Sequence, residues 1–423
     1  MTRPYKISGF DIPTADLILP SKQKLEALIT DNPNAQKIIN AHQEIINLAQ
    51  AQHENLKGTP PEKRTGFTHT PNANDFSHLQ EAIDKYQKLT SNIEGIGPIL
   101  SPGGNANNKL HNLVPLLGGK DMAAATIYGY TGNDDKADAI TQDAKNSGIE
   151  IERKDFAYPN PNKMSVIIPC EGDKICLRRA NDGDKYGEFF DHILTEVSTN
   201  EIGNICVIEY KATKAKPNIV SEFLDKIPLE TIVTYTPSAN GNLPEKEEQN
   251  QKKFIERANI LSLNLEEAQE VFKKSYDGNP QNFSDFTNLL PQIRQYCNLG
   301  KNDVITITDG PEGCLVIGHN FVVHASAKEV DPQSIENTIG AGDAFAAAFL
   351  AEYAKARENG EEINEEFAKK ACKAGNNLSA AVIQQQSAQI EQDTILETTQ
   401  DQTPTRGFMQ CLISCCPVSC LTR

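Results

Sequence analysis

Beyond Gly95 the chain alternates short apolar runs with helix-like stretches, which points to a doubly wound α/β sheet. The apolar runs are Ala124–Tyr128, Met164–Pro169, Ile175–Arg178, Ile205–Tyr210, Thr231–Tyr235, Ile260–Leu263, Val304–Thr308 and Cys314–Ile317. Between them lie helix candidates at Lys136–Ser147, Val220–Lys226, Leu265–Lys274, Ala344–Glu358 and Asn364–Gln385. Ile149 to Arg179 breaks the alternation. It reads as strands paired around Glu171-Gly172-Asp173, a hairpin signal. A two-stranded flap inside an α/β chain suggests a lid over a substrate.

The rest of the chain hangs on this core. Tyr5 to Leu19 is a short apolar start. Two helical stretches follow, Lys22 to Leu56, which Pro33 interrupts, and Phe76 to Leu89. A Gly- and Pro-rich linker joins them. One main domain over 1–390 is expected, with a helical insertion at about 21–95 and lid strands at about 149–180. A polar, then Cys-rich tail over 391–423 follows it. The formal net charge of −16 excludes a general nucleic-acid binder, which needs clustered Lys and Arg. It leaves room for a nucleotide, which needs only a local anion site. The first residues lack a signal-peptide run, and no stretch approaches the roughly 18 apolar residues of a membrane span. Six cysteines, Cys170, Cys176, Cys206, Cys297, Cys314 and Cys372, are scattered, several within apolar runs. A reduced, cytoplasmic protein is the expectation.

The segment with most chemistry is Asn337-Thr338-Ile339-Gly340-Ala341-Gly342-Asp343, which opens an apolar helix. Glycines admit a sharp turn and close approach of a ligand. Amides in the first helical turn have no internal acceptor, and the helix dipole adds positive charge there. Together they form an anion hole suited to a phosphoryl group. Asp343 at its rim could take a proton from an attacking hydroxyl. The same residues would also serve as a Gly-rich turn with Asp343 as a helix cap.

These residues resemble the second signature of the ribokinase-like kinase family, which includes ribokinase, adenosine kinase and the minor phosphofructokinase. Other landmarks follow in the family's order. They are Gly103-Gly104-Asn105-Ala106-Asn107-Asn108, the Gly-rich element Tyr128–Asp134, Asn264-Leu265-Glu266-Glu267 and Thr308-Asp309-Gly310-Pro311-Glu312-Gly313. The resemblance spans roughly Ile7 to Gln389. It implies an α/β ribokinase-like fold, a mostly parallel sheet with helices on both faces and a small β lid. It also implies transfer from ATP, with Mg²⁺, to a hydroxymethyl group of a nucleoside or a sugar. By the same resemblance Asp343 would be the general base, and Gly340, Ala341 and Gly342 would supply amide donors. Glu267, with Asn264, would organise Mg²⁺ and its waters. Thr308, Gly310 and Gly313 would line the nucleotide phosphates, and Asn376 would border the adenine. Gly103, Gly104 and Asn108 would face the acceptor. Either Asp11 or Asp16 would hold two of its hydroxyls, and the spacing leaves that choice open.

Some features depart from the family pattern. Asn337 stands where the signature has Asp, which weakens the case for a neighbouring monovalent-cation site. Thr234-Tyr235-Thr236-Pro237-Ser238-Ala239 lacks the carboxylate of the sugar branch and leans, with the insertion, toward adenosine kinase. Phe156 and Tyr158 could stack on a base or pack within the lid. Monomer and homodimer both remain open, as does a non-catalytic binding protein that keeps the fold. In the tail, Cys411, Cys415, Cys416 and Cys420 suit lipidation and hence peripheral membrane attachment. Metal binding or simple packing are the alternatives.

Overall fold

The computed structural model describes residues 5–57, 68–69, 73–93, 95–156, 164–170, 173–178, 185–237, 243–273, 280–385 and 387–390. Tyr158, the turn at Glu171-Gly172 and the tail cysteines lie outside them.

The chain begins with β1 (Tyr5–Phe10), β2 (Thr14–Ile18), α1 (Lys22–Leu28), α2 (Ala35–Lys57), β3 (Thr68–His69) and α3 (Ala73–Thr90). β4 (Ile99–Gly103), α4 (Asn105–Leu116), β5 (Ala123–Tyr128), α5 (Asp135–Asn146) and β6 (Ile149–Glu152) come next. They lead to β7 (Met164–Cys170), β8 (Asp173–Arg178), α6 (Tyr186–Glu196), β9 (Ile205–Glu209) and α7 (Pro217–Lys226). The C-terminal half holds β10 (Ile232–Thr236), α8 (Glu245–Arg257), β11 (Ile260–Asn264), α9 (Leu265–Lys273), α10 (Phe283–Asn288) and α11 (Leu290–Cys297). It ends with β12 (Val304–Thr308), β13 (Cys314–Gly318), β14 (Val322–Ala325), α12 (Ala341–Glu358) and α13 (Glu365–Val382).

Nine strands form the main sheet in the order β14-β13-β12-β11-β10-β9-β1-β5-β6. All neighbours from β12 to β6 pair in parallel, and the last two pairings, β12 with β13 and β13 with β14, are antiparallel. The order reverses at β1, so the crevice of a doubly wound sheet opens at the C-terminal ends of β1 and β9. Alternate residues feed two cores. Cys206 and Ile208 face one beneath α6–α11, and Ile205 and Val207 face the other beneath α4, α12 and α13.

A second sheet, β3-β8-β7-β2-β4, stands over the crevice. Its hairpin pairs Cys170 with Asp173, the expected turn site. Ile149–Glu152 is not part of this flap. It pairs in parallel with β5 at the edge of the main sheet, because Ile149 packs into that sheet's core. Strand alternation gives the second sheet two distinct faces. Ala15, Leu17, Met164, Val166, Ile168, Ile175 and Leu177 pack against α1, α2 and α3. Thr14, Asp16, Ser165, Ile167 and Cys176 face the crevice. Among the described residues no helix is long and apolar enough to cross a membrane. Cys206, Cys297, Cys314 and Cys372 are buried free thiols, and Cys176 is half-buried.

Candidate functional site

A cavity of about 300 Å³ lies between the two sheets. One wall is the second sheet, with Thr14, Asp16, Ser165, Ile167 and Cys176. The floor is built from strand ends and the helix starts beside them: Thr236, Leu263, Asn264 and Thr308, with Asn105, Asn108 and Lys109 from α4. The opposite wall is the loop Thr338-Ile339-Gly340, followed by Gly342 and Asp343 of α12.

Gly340 occupies the helix cap at φ +75, a left-handed conformation that side chains disfavour. A Cβ there would also stand 2.6 Å from the Ala388 methyl. Ala344 donates to the Gly340 carbonyl at 2.8 Å, the first internal bond of α12. The amides of Ala341 and Gly342 precede it and have no helical acceptor. A Cβ on Gly342 would meet nothing within 4 Å. The residue lines the cavity, so that open space belongs to the site.

Residues 383–385 and 387–390 brace this loop from behind. The Ile383 carbonyl accepts from the amides of Glu336 and Asn337. Asn337 is buried, and its Nδ2 donates to the Gln385 carbonyl at 2.7 Å while its Oδ1 accepts from Ile339. An amide N–H thus meets that carbonyl, where a carboxylate would present a second acceptor. Asn112 Oδ1 accepts from the Ile390 amide, and Gln389 Nε2 donates to Pro102, linking the same segment to α4 and β4.

Asp343 is held at two points. Asn108 Nδ2 donates to its Oδ2 at 3.1 Å, and Lys109 Nζ stands 3.8 Å from its Oδ1. Asn108 Oδ1 is buried and finds no hydrogen-bond partner. The early aspartates separate clearly. Asp16 lines the cavity, with Thr14 Oγ1 donating to it at 3.2 Å. Asp11 is fully buried, paired with Lys211 at 2.6 Å and accepting the Ala106 amide at the start of α4. It supports α4 and is absent from the lining. Gly103 gives Asp16 its room, since a Cβ would lie 2.0 Å from a carboxylate oxygen. Gly104, at φ +102, caps α4 and lines the cavity.

Asn264 and Glu267 form a reciprocal capping box. The Asn264 amide donates to Glu267 Oε2, and the Glu267 amide to Asn264 Oδ1, each at 2.8 Å. Asn264 Oδ1 is therefore committed to the helix. Glu267 also lines the cavity, and burial pushes its carboxyl up to about 7 against the Asn264 bond and the pull of Lys109. Among the described residues no cluster of three or more His, Cys, Asp or Glu could hold a metal. A divalent ion held largely by water and phosphate oxygens fits that donor set.

Thr308 lines the cavity, but Gly310, Gly313 and Asn376 do not. The two glycines shape the turn between β12 and β13. Asn376 Nδ2 donates to the Ser326 carbonyl, tying α13 to the segment after β14. Phe156 is half-buried and packs against the core, ring against ring with Tyr130 and Phe189. No aromatic residue lines the cavity among the described residues.

Sequence reasoning passed over Lys109, Glu209, Lys211 and Thr236. Lys109 Nζ lies 2.6 Å from Glu209 Oε1 and 2.6 Å from Thr236 Oγ1. Burial pushes Glu209 up to about 8, with Asp11 and Asp343 adding to the rise against the pull of Lys109. Burial would lower Lys109, but Glu209 and Asp343 overcome it and raise the ammonium's pKa. One signal was available: Glu209 and Thr236 end apolar parallel strands, where crevice residues sit.

A profile described as pfkB family carbohydrate kinase matches residues 72–395. No curated protein matches by sequence. An adenosine kinase from Sinorhizobium meliloti is 16% identical, with a TM-score of 0.59 over 94% of this chain and 99% of its own. The adenosine kinase of Schistosoma mansoni, in complex with 2-fluoroadenosine, is 14% identical, with a TM-score of 0.60 over 92% and 98%. A Vibrio cholerae O395 fructokinase, with fructose, ADP and calcium bound, is 13% identical, with a TM-score of 0.57 over 93% and 98%. At these identities the structural likeness speaks for a ribokinase-like fold. The profile match covers most of the sequence and adds the lineage: the chain belongs to the pfkB family of carbohydrate kinases.

Proposed function

We propose that this chain is an ATP- and Mg²⁺-dependent phosphotransferase acting on a hydroxymethyl group of a nucleoside or sugar. One observation carries the reading: Asp343 shares a single cavity with the open amides of α12 on one side and with Asp16 and Asn108 on the other. Asp16 can accept from two neighbouring hydroxyls, and Asn108 Oδ1 needs a donor. Asp343 takes the proton of the acceptor's hydroxymethyl oxygen as that oxygen attacks the γ-phosphorus of ATP and the bond from that phosphorus to the bridging oxygen breaks, releasing ADP. The Ala341 and Gly342 amides and the α12 dipole stabilise the charge on the transferred group. Magnesium, when bound, neutralises phosphate charge, and Glu267 would hold it through water. Asn264 serves by fixing Glu267.

A sugar acceptor has its own support. Phe156 packs against the core, and the described lining carries hydroxyls, amides and carboxylates with no ring to stack on a base. The test is ATP consumption against a panel of nucleosides, pentoses and hexoses, beside Asp343→Asn. Turnover with one acceptor, reduced at least about a hundredfold in the variant with ATP binding kept, is the expected result. Normal turnover by Asp343→Asn would sink the mechanism. ATP binding without turnover on any acceptor would favour a non-catalytic binding protein.

A further inference from the structure

The ammonium of Lys109 is placed as few surface lysines are. Its side chain is 4% exposed, yet it touches the cavity. Of its three N–H bonds, two have fixed acceptors, Glu209 Oε1 and Thr236 Oγ1. Those acceptors end adjacent strands of the main sheet, β9 and β10. The nitrogen is therefore anchored to two paired strands at the centre of the main sheet. From that anchor it stands 3.8 Å from Asp343 Oδ1, too far for a hydrogen bond and close enough for a strong charge interaction in a partly dry site.

The other titratable groups around Asp343 are mostly carboxyls, and Lys211 is the other cation in the cavity lining. Glu209 ends β9, Glu267 opens α9, and Asp16 projects from the second sheet. Asp11 lies behind α4, where Lys211 is paired with it. Like charges raise a carboxyl's pKa, and a protonated carboxyl cannot accept a proton. Lys109 is the cation on α4 that faces this group.

We propose that Lys109 is a positioning residue: its ammonium, pinned by Glu209 and Thr236, keeps Asp343 ionised and, with Asn108, fixes the direction of its carboxylate. The proposal rests on reading Asp343 as the base. The alternative is a staple, in which the Lys109–Glu209 pair merely joins α4 to β9 and leaves Asp343 indifferent.

The experiment follows the side-chain carboxyl carbon of Asp343 by NMR across pH, in the full chain without nucleotide or acceptor. The resonance is identified by its loss in Asp343→Asn. Reading it directly separates Asp343 from Glu267, whose own proton would enter any acid limb of turnover. Lys109→Gln keeps hydrogen-bonding capacity and removes the charge, whereas Lys109→Arg keeps the charge. The Asp343 midpoint should rise by about one pH unit or more in Lys109→Gln and stay near wild type in Lys109→Arg. The acid limb of kcat should move with it while the KM for ATP holds. If Lys109→Gln fails to fold, Lys109→Gln with Glu209→Gln removes the buried pair as a unit, and its midpoint is then compared with that of Lys109→Arg with Glu209→Gln, which differs only in the charge at position 109. A folded variant with an unmoved midpoint would overturn the proposal. Wild-type chain that turns over no acceptor would instead strike the functional reading, and the resonance would still decide what Lys109 does to Asp343.

Discussion

Gly342 separates a structural requirement from a chemical one. Gly340 cannot change without striking Ala388, whereas a methyl on Gly342 meets nothing in the protein. Alanine also suits a helix better than glycine. Gly342→Ala should therefore melt no lower than wild type. Its methyl would stand in the space assigned to the transferred phosphoryl group, and a displacement near 1 Å costs about a hundredfold in rate. Unchanged kcat in that variant would mean the reacting group lies elsewhere. The residues legible from sequence were those in a motif: Asp343, Gly340 and Asn108 carry a local pattern. Asp16 and Asp11 were not separable, because their difference lies in what stands opposite. Gly103 faces Asp16 on the neighbouring strand, whereas Lys211 meets Asp11 from 200 positions away. Lys109 was invisible for the same reason. Nothing near it in the chain announces Glu209, Thr236 and Asp343.

Among the elements, the main sheet was readable because each buried parallel strand is a short apolar run. The second sheet was only half readable. Its hairpin has a turn signal, but β2 mixes polar and apolar residues, β4 ends in Pro102-Gly103, and the whole helical insertion separates the two. That insertion is the apolar backing of the second sheet. α2 and α3 cover the face opposite Asp16, and Tyr86 is fully buried there with its hydroxyl donating to the Ile96 carbonyl at 2.6 Å. The covered face is unavailable as a clasp between two copies. Tyr86→Ala removes a buried ring and strands a carbonyl, so unfolding free energy should fall by about 3–5 kcal/mol in denaturant titrations. A loss below about 1 kcal/mol would show that the helices lie loosely on the sheet.

At the scale of the molecule, net charge and site charge press in the same direction. The chain carries a formal −16 at pH 7, and self-repulsion of that size eases as pH falls toward the pI near 5.0. The site adds to this. Glu267 has an ordinary value of 4.5 and sits at about 7 in the fold, raised first by burial. The folded state thus holds a proton that the unfolded state gives up, and stability falls as pH rises from about 4.5 to about 7. Glu201 acts at the other end. The Lys154 hydrogen bond and the Ser198 amide hold it at about 2, so its contribution is complete above about 4.5 and disappears as pH drops toward 2. The pair is partly exposed, which limits that contribution. Stability should therefore peak near pH 5 and decline toward pH 8, although the proposed chemistry needs ionised carboxylates at the higher pH. Denaturant midpoints at pH 5, 6, 7 and 8 measure this for wild type and for Glu267→Gln, which keeps the capping geometry and cannot ionise. The decline between pH 5 and 7 should be shallower in the variant. Stability that rises from pH 5 to 8 in the wild type, or an identical slope in the two proteins, would show that the site's carboxylates are not under the strain that their burial implies.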